Sequence, residues 1–181
     1  MEILKNIVLV IVSPKVGWDE VKHSCITTGR LLSSTFLPML VVLAVTSFVP
    51  MVYDVSLTLV ESLMTAIIKF SSYLVTFHFT AYLLGSIYPE LVQSQGGVDR
   101  MNDYIIYNLI FLILLEIIKN LLPVDFAPIF FMMFYMPFIA YKGVDYLGVK
   151  KSKQTSFSIV AGLLMLFMPQ GLVWLLGVFI K

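Results

Sequence analysis

Five long apolar stretches dominate this sequence and limit what it can fold into. A helix needs ~20 mostly apolar residues to cross the ~30 Å hydrocarbon core of a bilayer. Hydrophobic residues make up 59% of the 181-residue chain and charged residues only 13%, too few to cover the surface of a soluble domain. We therefore predict an all-α, polytopic membrane bundle, a single domain over 1–181, with five spans. The predicted spans lie near 31–50, 70–88, 104–123, 126–142 and 157–180.

Residues 1–30 precede the first span and are predicted to form a cytoplasmic or interfacial segment. The starting sequence MEILKNIVLVIV is not followed by a small-residue cleavage site, so a signal peptide is not expected. Ser13 and Pro14 are typical of an N-cap and a first helical position. Pro14 and Trp18 share the apolar face of the helix that follows. An amphipathic helix of this kind suits a membrane surface, and it suits packing on the ends of the spans equally well.

Residues 55–69 form an amphipathic pattern ahead of the second span. Glu61, Thr65 and Lys69 are spaced by four residues and make a polar stripe opposite an apolar helical face. Joined to the second span, this segment would give a helix of ~50 Å at ~1.5 Å per residue, longer than the bilayer is thick. We therefore predict a lead-in that lies on the outer surface or projects from it. A buried polar stripe lining a pore is the alternative.

The distribution of lysine and arginine predicts the orientation of the chain, because cytoplasmic loops carry the excess of these residues. Five spans with a cytoplasmic N-terminus place nine cations on the cytoplasmic side and three outside. We therefore predict the N-terminus inside and the C-terminus outside. The cytoplasmic set is Lys5, Lys15, Lys22, Arg30, Arg100, Lys142, Lys150, Lys151 and Lys153, and the outer set is Lys69, Lys119 and Lys181.

Two ionisable residues fall inside predicted spans, where such groups are costly and often functional. His78 lies near the middle of the second span, and Glu116 lies beyond the middle of the third. Because these spans run antiparallel, we predict that the two side chains reach similar depths and interact. A polar clasp between helices is the favoured meaning, and a proton or ion relay is the alternative. A third possibility is that Glu116 pairs locally with Lys119 or Asn120 at helical spacing.

Prolines interrupt three of the predicted spans and are expected to bend them. Pro38, Pro137 and Pro169 each remove one helix hydrogen bond. Pro169, Gln170 and Gly171 together form a candidate helix break near the centre of the last span. Transporters use broken helices to build binding sites at the midplane. They do so in two repeated halves, however, and five spans without a repeat favour a simple kink.

The string GVDYLGVKKS at 143–152 comes close to a phosphate-binding loop. Such loops follow a strand and place a lysine directly after the second glycine. Here a predicted span precedes the string, and Val149 occupies the lysine position. We therefore predict a cytoplasmic turn and no cofactor. Its cations would lie beside an anionic leaflet and contribute ~1 kcal/mol each; they are Lys150, Lys151 and Lys153.

Several other function classes have no support in the sequence. A net charge of +1 argues against a nucleic-acid partner, which requires a concentrated basic face. Cys25 is the only cysteine, so an internal disulfide and a multi-cysteine metal site are both excluded. No catalytic signature such as H-E-x-x-H or G-x-S-x-G occurs. We therefore predict a protein that is not an enzyme.

Four features of the sequence together resemble a known family: SPKVGWDEV at 13–21, GGVDR at 96–100, Pro123 and YMPFIAYKGVDYLGVKKSKQTSFSIVA at 135–161. They are similar to the membrane domain of the Yip family, the Ypt/Rab-interacting membrane proteins, and to its short bacterial members in particular. The resemblance implies a helical protein of the bacterial cytoplasmic membrane with its N-terminus inside, and it implies no catalytic residues. Eukaryotic relatives bind prenylated Rab GTPases. This chain lacks their long N-terminal region, so Rab binding is not expected of it.

These observations predict a scaffold or adaptor that organises membrane components. Its expected partners are the lipid bilayer with its anionic lipids, other membrane proteins and further copies of itself. The predicted working surface combines the helix of Pro14 and Trp18 with the loop at 150–153. The alternative is a small transporter, channel or lipid translocator that uses His78, Glu116 and the helix break at 169–171.

Overall fold

The computed structural model describes residues 2–94, 96–123 and 127–178. Within these residues the chain is all-helical, with 85% helix and no strand, as predicted. The helices are α1 (Glu2–Val12), α2 (Pro14–His23), α3 (Thr28–Leu31), α4 (Leu37–Thr46), α5 (Leu59–Ile87), α6 (Pro89–Val92), α7 (Gly97–Leu121), α8 (Ala127–Met133), α9 (Met136–Lys142), α10 (Val144–Leu147) and α11 (Lys151–Val178); a π-helical turn at Leu32–Phe36 joins α3 to α4, and a 3-10 turn lies at Val49–Val52.

Four segments of the described chain are long and apolar enough to cross a membrane. They are Thr28–Val52, which includes α3 and α4, and the helices α5, α7 and α11. Helix α7 is the centre of the bundle, since 72% of its most apolar stretch is buried, against 28% in each of the other three. The other spans pack around it, and most of their apolar surface faces outwards.

The predicted fourth span does not form one long helix, so the count of five is not confirmed. Residues 134–135 form a turn that divides it into α8 and α9, each of seven residues. This pair runs antiparallel to α7: the ring of Tyr135 packs on Phe111 with centroids 5.9 Å apart, and Tyr104 Oη donates to the carbonyl of Ala140 at 3.0 Å. The chain therefore returns along α7 in two short steps. Phe126, the first residue of this predicted span, lies outside the described residues.

Helix α5 begins earlier than predicted, and the expected lead-in at 55–69 is not a separate element. Thr58 Oγ1 accepts a hydrogen bond from the Glu61 backbone N–H at 3.2 Å, and Glu61 Oε2 accepts one from the Thr58 N–H at 2.8 Å. This reciprocal capping box satisfies two free donors and starts the helix. The 29 residues of α5 then measure about 43 Å at ~1.5 Å per residue. Lys69 lies well inside it, with a side chain only 13% exposed.

The three prolines have different effects on the helices. The π-helical turn at Leu32–Phe36 ends two residues before Pro38, where the regular hydrogen-bond ladder must change. Pro137 is the second residue of α9, directly after the turn at 134–135. Pro169 lies inside α11, which continues to Val178. The helix therefore continues through the candidate break at 169–171, because a helix can continue past one missing hydrogen bond when neighbouring helices support it.

The N-terminal segment forms a helical hairpin rather than a single surface helix. Helices α1 and α2 pack on each other, and a Cβ on Gly17 would lie only 2.3 Å from the backbone nitrogen of Val10. A glycine at this position therefore permits the close approach of the two helices. Lys5 and Glu20 join the outer faces of the hairpin through an ion pair of 3.4 Å.

Candidate functional site

A buried carboxylate on the central helix is the strongest candidate for a functional group. Glu116 on α7 is 3% exposed. Its Oε2 lies 3.1 Å from Lys69 Nζ of α5, and its Oε1 accepts a hydrogen bond of 3.1 Å from Gln170 Nε2 of α11. Glu116 therefore connects three of the long helices.

Asn120 extends this connection to the first long segment, Thr28–Val52. It lies one helical turn after Glu116, so both side chains share a face of α7. Asn120 Oδ1 accepts a hydrogen bond of 2.7 Å from Lys69 Nζ, and Asn120 Nδ2 donates to Thr46 Oγ1 of α4 at 3.2 Å. We call these five residues, Thr46, Lys69, Glu116, Asn120 and Gln170, the polar network.

The polar network balances its own charge. It contains one cation and one anion in direct contact, and each also makes a hydrogen bond to an amide side chain. A buried ion pair offsets its desolvation cost only when geometry and additional hydrogen bonds are good, and removal of one partner is strongly destabilising. The arrangement is suited to holding four helices in one register. It corresponds to the polar clasp predicted for Glu116, with different partners.

The predicted contact between His78 and Glu116 does not form. The imidazole of His78 is exposed, and its Nδ1 donates to the carbonyl of Leu74 at 2.9 Å. The prediction is wrong because it misjudged the register of α5. Lys69 lies at the same depth in the bundle as Glu116. His78 comes nine residues later in α5, which places it about 13 Å further along the helix axis.

The residues of the predicted helix break have separate environments in the structure. Pro169 is buried, Gln170 reaches Glu116, and Gly171 is exposed with open space around it. One side chain of this motif therefore belongs to the polar network. Lys69 was predicted only as part of the polar stripe ahead of the second span, and Asn120 only as a local partner of Glu116; Thr46 was not predicted at all. The capping signature T-x-x-E at 58–61 could have placed Lys69 inside the helix.

A second group of buried polar atoms lies along α5 and α7. These side-chain atoms are buried and make no hydrogen bond within the described part of the chain. Such atoms in a native protein call for an explanation, and buried water is one of the common ones. They are Ser72 Oγ, Tyr73 Oη, Thr80 Oγ1, Asp103 Oδ1, Tyr107 Oη and Asn108 Oδ1, together with Asn6 Nδ2 on α1.

The end of the bundle at which α5 ends and α7 and α11 begin carries many of the cations. We call it the basic end. Tyr88 and Ser156 contact each other there through their hydroxyls at 3.2 Å, and Lys153 Nζ lies 2.6 Å from Glu90 Oε1. The hydrogen bond from Lys153 lowers the pKa of the Glu90 carboxyl. The other cations predicted for this loop, Lys150 and Lys151, are exposed.

Pro14 and Trp18, predicted for the same surface, are buried instead. Trp18 is 3% exposed, and its Nε1 donates to the carbonyl of Ile139 at 3.0 Å. Its ring packs on three tyrosine rings at centroid distances of 5.5, 5.8 and 5.5 Å; these are Tyr104, Tyr107 and Tyr146. Of the two predicted placements of α2, the structure has the helix packed on the ends of the spans. Helix α2 also contacts α10, the short helix that precedes the loop of Lys150.

Within residues 2–94, 96–123 and 127–178, no group of three or more histidine, cysteine, aspartate or glutamate side chains could hold a metal ion. Comparison of the chain with protein-family models, curated proteins and solved structures finds no match. The resemblance to the Yip family therefore stays a prediction.

Proposed function

We propose that this protein is a non-enzymatic integral membrane protein that organises other membrane components. One observation carries the proposal: the buried ion pair inside the bundle joins the bundle's own helices, whereas several cations at the basic end are exposed on the surface. Glu116 and Lys69 neutralise each other across two helices. Lys150 and Lys151 are exposed at the basic end.

The working surface in this proposal differs from the predicted one. Because Pro14 and Trp18 are buried, they support the surface rather than contact a partner. The partner-facing groups are the exposed residues of α2, such as Lys15 and Lys22, and the two exposed lysines of the loop, Lys150 and Lys151. A cationic surface at this position favours anionic lipid headgroups and acidic segments of other membrane proteins.

We also propose the topology that the charge count predicts, with the basic end in the cytoplasm of a bacterium. In this topology α8 and α9 together make a fifth crossing, consistent with their antiparallel course along α7. The outer terminus and Lys181 lie outside the described residues. Cys25 is exposed and is the only thiol, so it reports the orientation. A membrane-impermeant maleimide should label it only after the cytoplasmic face is opened; labelling of intact cells would contradict the topology.

In-membrane photocrosslinking tests the scaffold proposal. A photoreactive amino acid at Lys22 or Lys151 should capture a discrete set of proteins or lipids. Replacement of Lys150 by glutamine should reduce that capture, because it removes a neighbouring cation. A photoreactive group at Tyr82, which is exposed on the side of α5, serves as the control. Equal capture from all three positions would contradict a specific working surface.

Transport is the second candidate, and the buried unpartnered polar atoms favour it. Tyr73 Oη lies one helical turn beyond Lys69, and Asp103 Oδ1 lies near the start of α7. Water between such groups could carry protons along the bundle from Glu116 towards the basic end. Proton flux in proteoliposomes should then fall on the change Glu116→Gln in a folded protein. Replacement of His78, which is outside the network, should leave that flux unchanged.

A further inference from the structure

A cavity of about 660 Å³ lies between α1 and the first long segment, away from the polar network. It is open on one side, and its walls are mostly apolar. We call it the α1 cleft. Its lining includes Glu2, Arg30, Ser34, Met39, Val42 and Leu114.

The length of the α1 cleft matches one leaflet of a bilayer. Its wall on the first long segment runs from Arg30 to Val42, a distance of about 18 Å at a rise of ~1.5 Å per residue. Half of the ~30 Å hydrocarbon core is about 15 Å. Leu114, on the far half of α7, lines the same cleft, so the cavity reaches past the middle of the bundle. An extended acyl chain fits such a path, whereas a compact polar ligand would leave most of its walls uncovered.

One cation lies at the mouth of the α1 cleft. Arg30 is exposed and makes no ion pair within the described residues. It belongs to the basic end, because Thr28 Oγ1 of the same short helix donates to the carbonyl of Asp99 at 3.3 Å. A guanidinium group is suited to a phosphate because it presents several donors in a planar fork.

The backbone of the first long segment is irregular where it lines the α1 cleft. The π-helical turn at Leu32–Phe36 lies between Arg30 and the apolar end of the cleft. Turns of this type inside helices are frequent at functional sites. Ser34 and Thr35 belong to this turn and line the cleft, and Ser34 Oγ donates to the carbonyl of Arg30 at 2.5 Å.

We propose that the α1 cleft binds a single phospholipid of the leaflet at the basic end. The phosphodiester lies on Arg30, and one acyl chain follows the wall past Met39 to Val42. Glu2 also lines the cleft and balances the charge of Arg30. The site therefore recognises the phosphodiester and the chain, and it does not require a lipid with net negative charge. This site is separate from the polar network, so it stands whether that network is a clasp or a transport path.

A photoactivatable phospholipid tests the site. The full chain is reconstituted in vesicles of phosphatidylethanolamine and phosphatidylglycerol with a trace of lipid that carries a diazirine near the end of one acyl chain. Crosslinked peptides should contain Met39, Val42 or Leu114. The change Arg30→Gln should lower this labelling about fivefold, the effect of ~1 kcal/mol for one cation at the membrane surface. Lys142→Gln, which removes a cation at the end of α9 that does not line the cleft, is the matched control and should leave this labelling unchanged.

A second variant keeps the proposal testable if Arg30→Gln fails to fold. Met39→Trp fills the cleft and leaves Arg30 in place, so labelling at Val42 and Leu114 should disappear. Labelling that spreads evenly over the exposed faces of α5 and α11, and that neither variant changes, would overturn the proposal. Competition by soluble glycerol phosphate at millimolar concentration would also overturn it, because the acyl chain would then not be recognised.

Discussion

Removal of Lys69 should be among the most damaging single changes in this protein. The change Lys69→Met keeps the long unbranched side chain but takes the cation from its position 3.1 Å from Glu116. The Glu116 side chain is 4% exposed, so water cannot replace the lost partner. Only the hydrogen bond from Gln170 remains. An uncompensated buried charge of this kind costs ~3–5 kcal/mol.

The double variant Lys69→Met/Glu116→Leu should be more stable than the Lys69→Met single variant. It removes both charges, and replacement of a buried ion pair by apolar residues is often nearly neutral. The amides of Asn120 and Gln170 each lose a partner, at a cost of about 1 kcal/mol each. We therefore expect the double variant to lie about 2 kcal/mol below the wild type, and the single variant well below that.

Reversible unfolding in mixed micelles measures these free energies. The exposed cation Lys22 provides the matched control, and Lys22→Met should change the free energy of unfolding by less than about 0.5 kcal/mol. A loss below about 1 kcal/mol for Lys69→Met would place the pair in the range of solvent-exposed ion pairs. That result, or additive effects in the double variant, would refute a closed network.

Two further predictions concern the basic end. A methyl group on Gly143 would lie 2.5 Å from the Trp18 ring, so Gly143→Ala should lower the free energy of unfolding by ~1–3 kcal/mol in the same assay. Gly162→Ala is the control and should be tolerated, because the nearest neighbour of its methyl group would be 3.5 Å away. Equal effects of the two changes would contradict tight packing at Gly143. Because the pKa of Glu90 is lowered in the folded protein, its ion pair with Lys153 stabilises the fold fully at pH values above the usual pKa of a glutamate. This stabilisation is lost as the pH falls through the lowered pKa. Lys153→Gln should move that pKa upwards in an NMR titration, and an unchanged pKa would contradict the contact.

The sequence was sufficient to predict the class of fold and the presence of long apolar helices. Apolar runs near 104–123 and 157–180 correspond to α7 and α11, because burial and lipid exposure both require apolar side chains. Apolar content does not record where a helix begins, however. The start of α5 is set by the capping box of Thr58 and Glu61. The predicted second span began at residue 70 instead, so His78 and not Lys69 was expected at the depth of Glu116.

The candidate site was predicted in part for the same reason. Glu116 and Gln170 were both singled out, since polar groups within apolar runs are conspicuous. Their contact depends on how α11 lies against α7, which periodicity along one helix does not report. The burial of Trp18 is a similar case: its amphipathic helix fitted a lipid surface and a protein surface alike, and the hydrogen bond to Ile139, 121 residues away, decides between them.

The central claim is that the polar network holds the bundle together and does not conduct. Proton flux into proteoliposomes, measured for the wild type and for the folded Lys69→Met/Glu116→Leu variant, tests it most directly. The account predicts that both proteins give only the flux of empty vesicles and that the variant still yields the crosslinks of the basic end. A flux carried by the wild type and abolished in the folded variant would contradict the account.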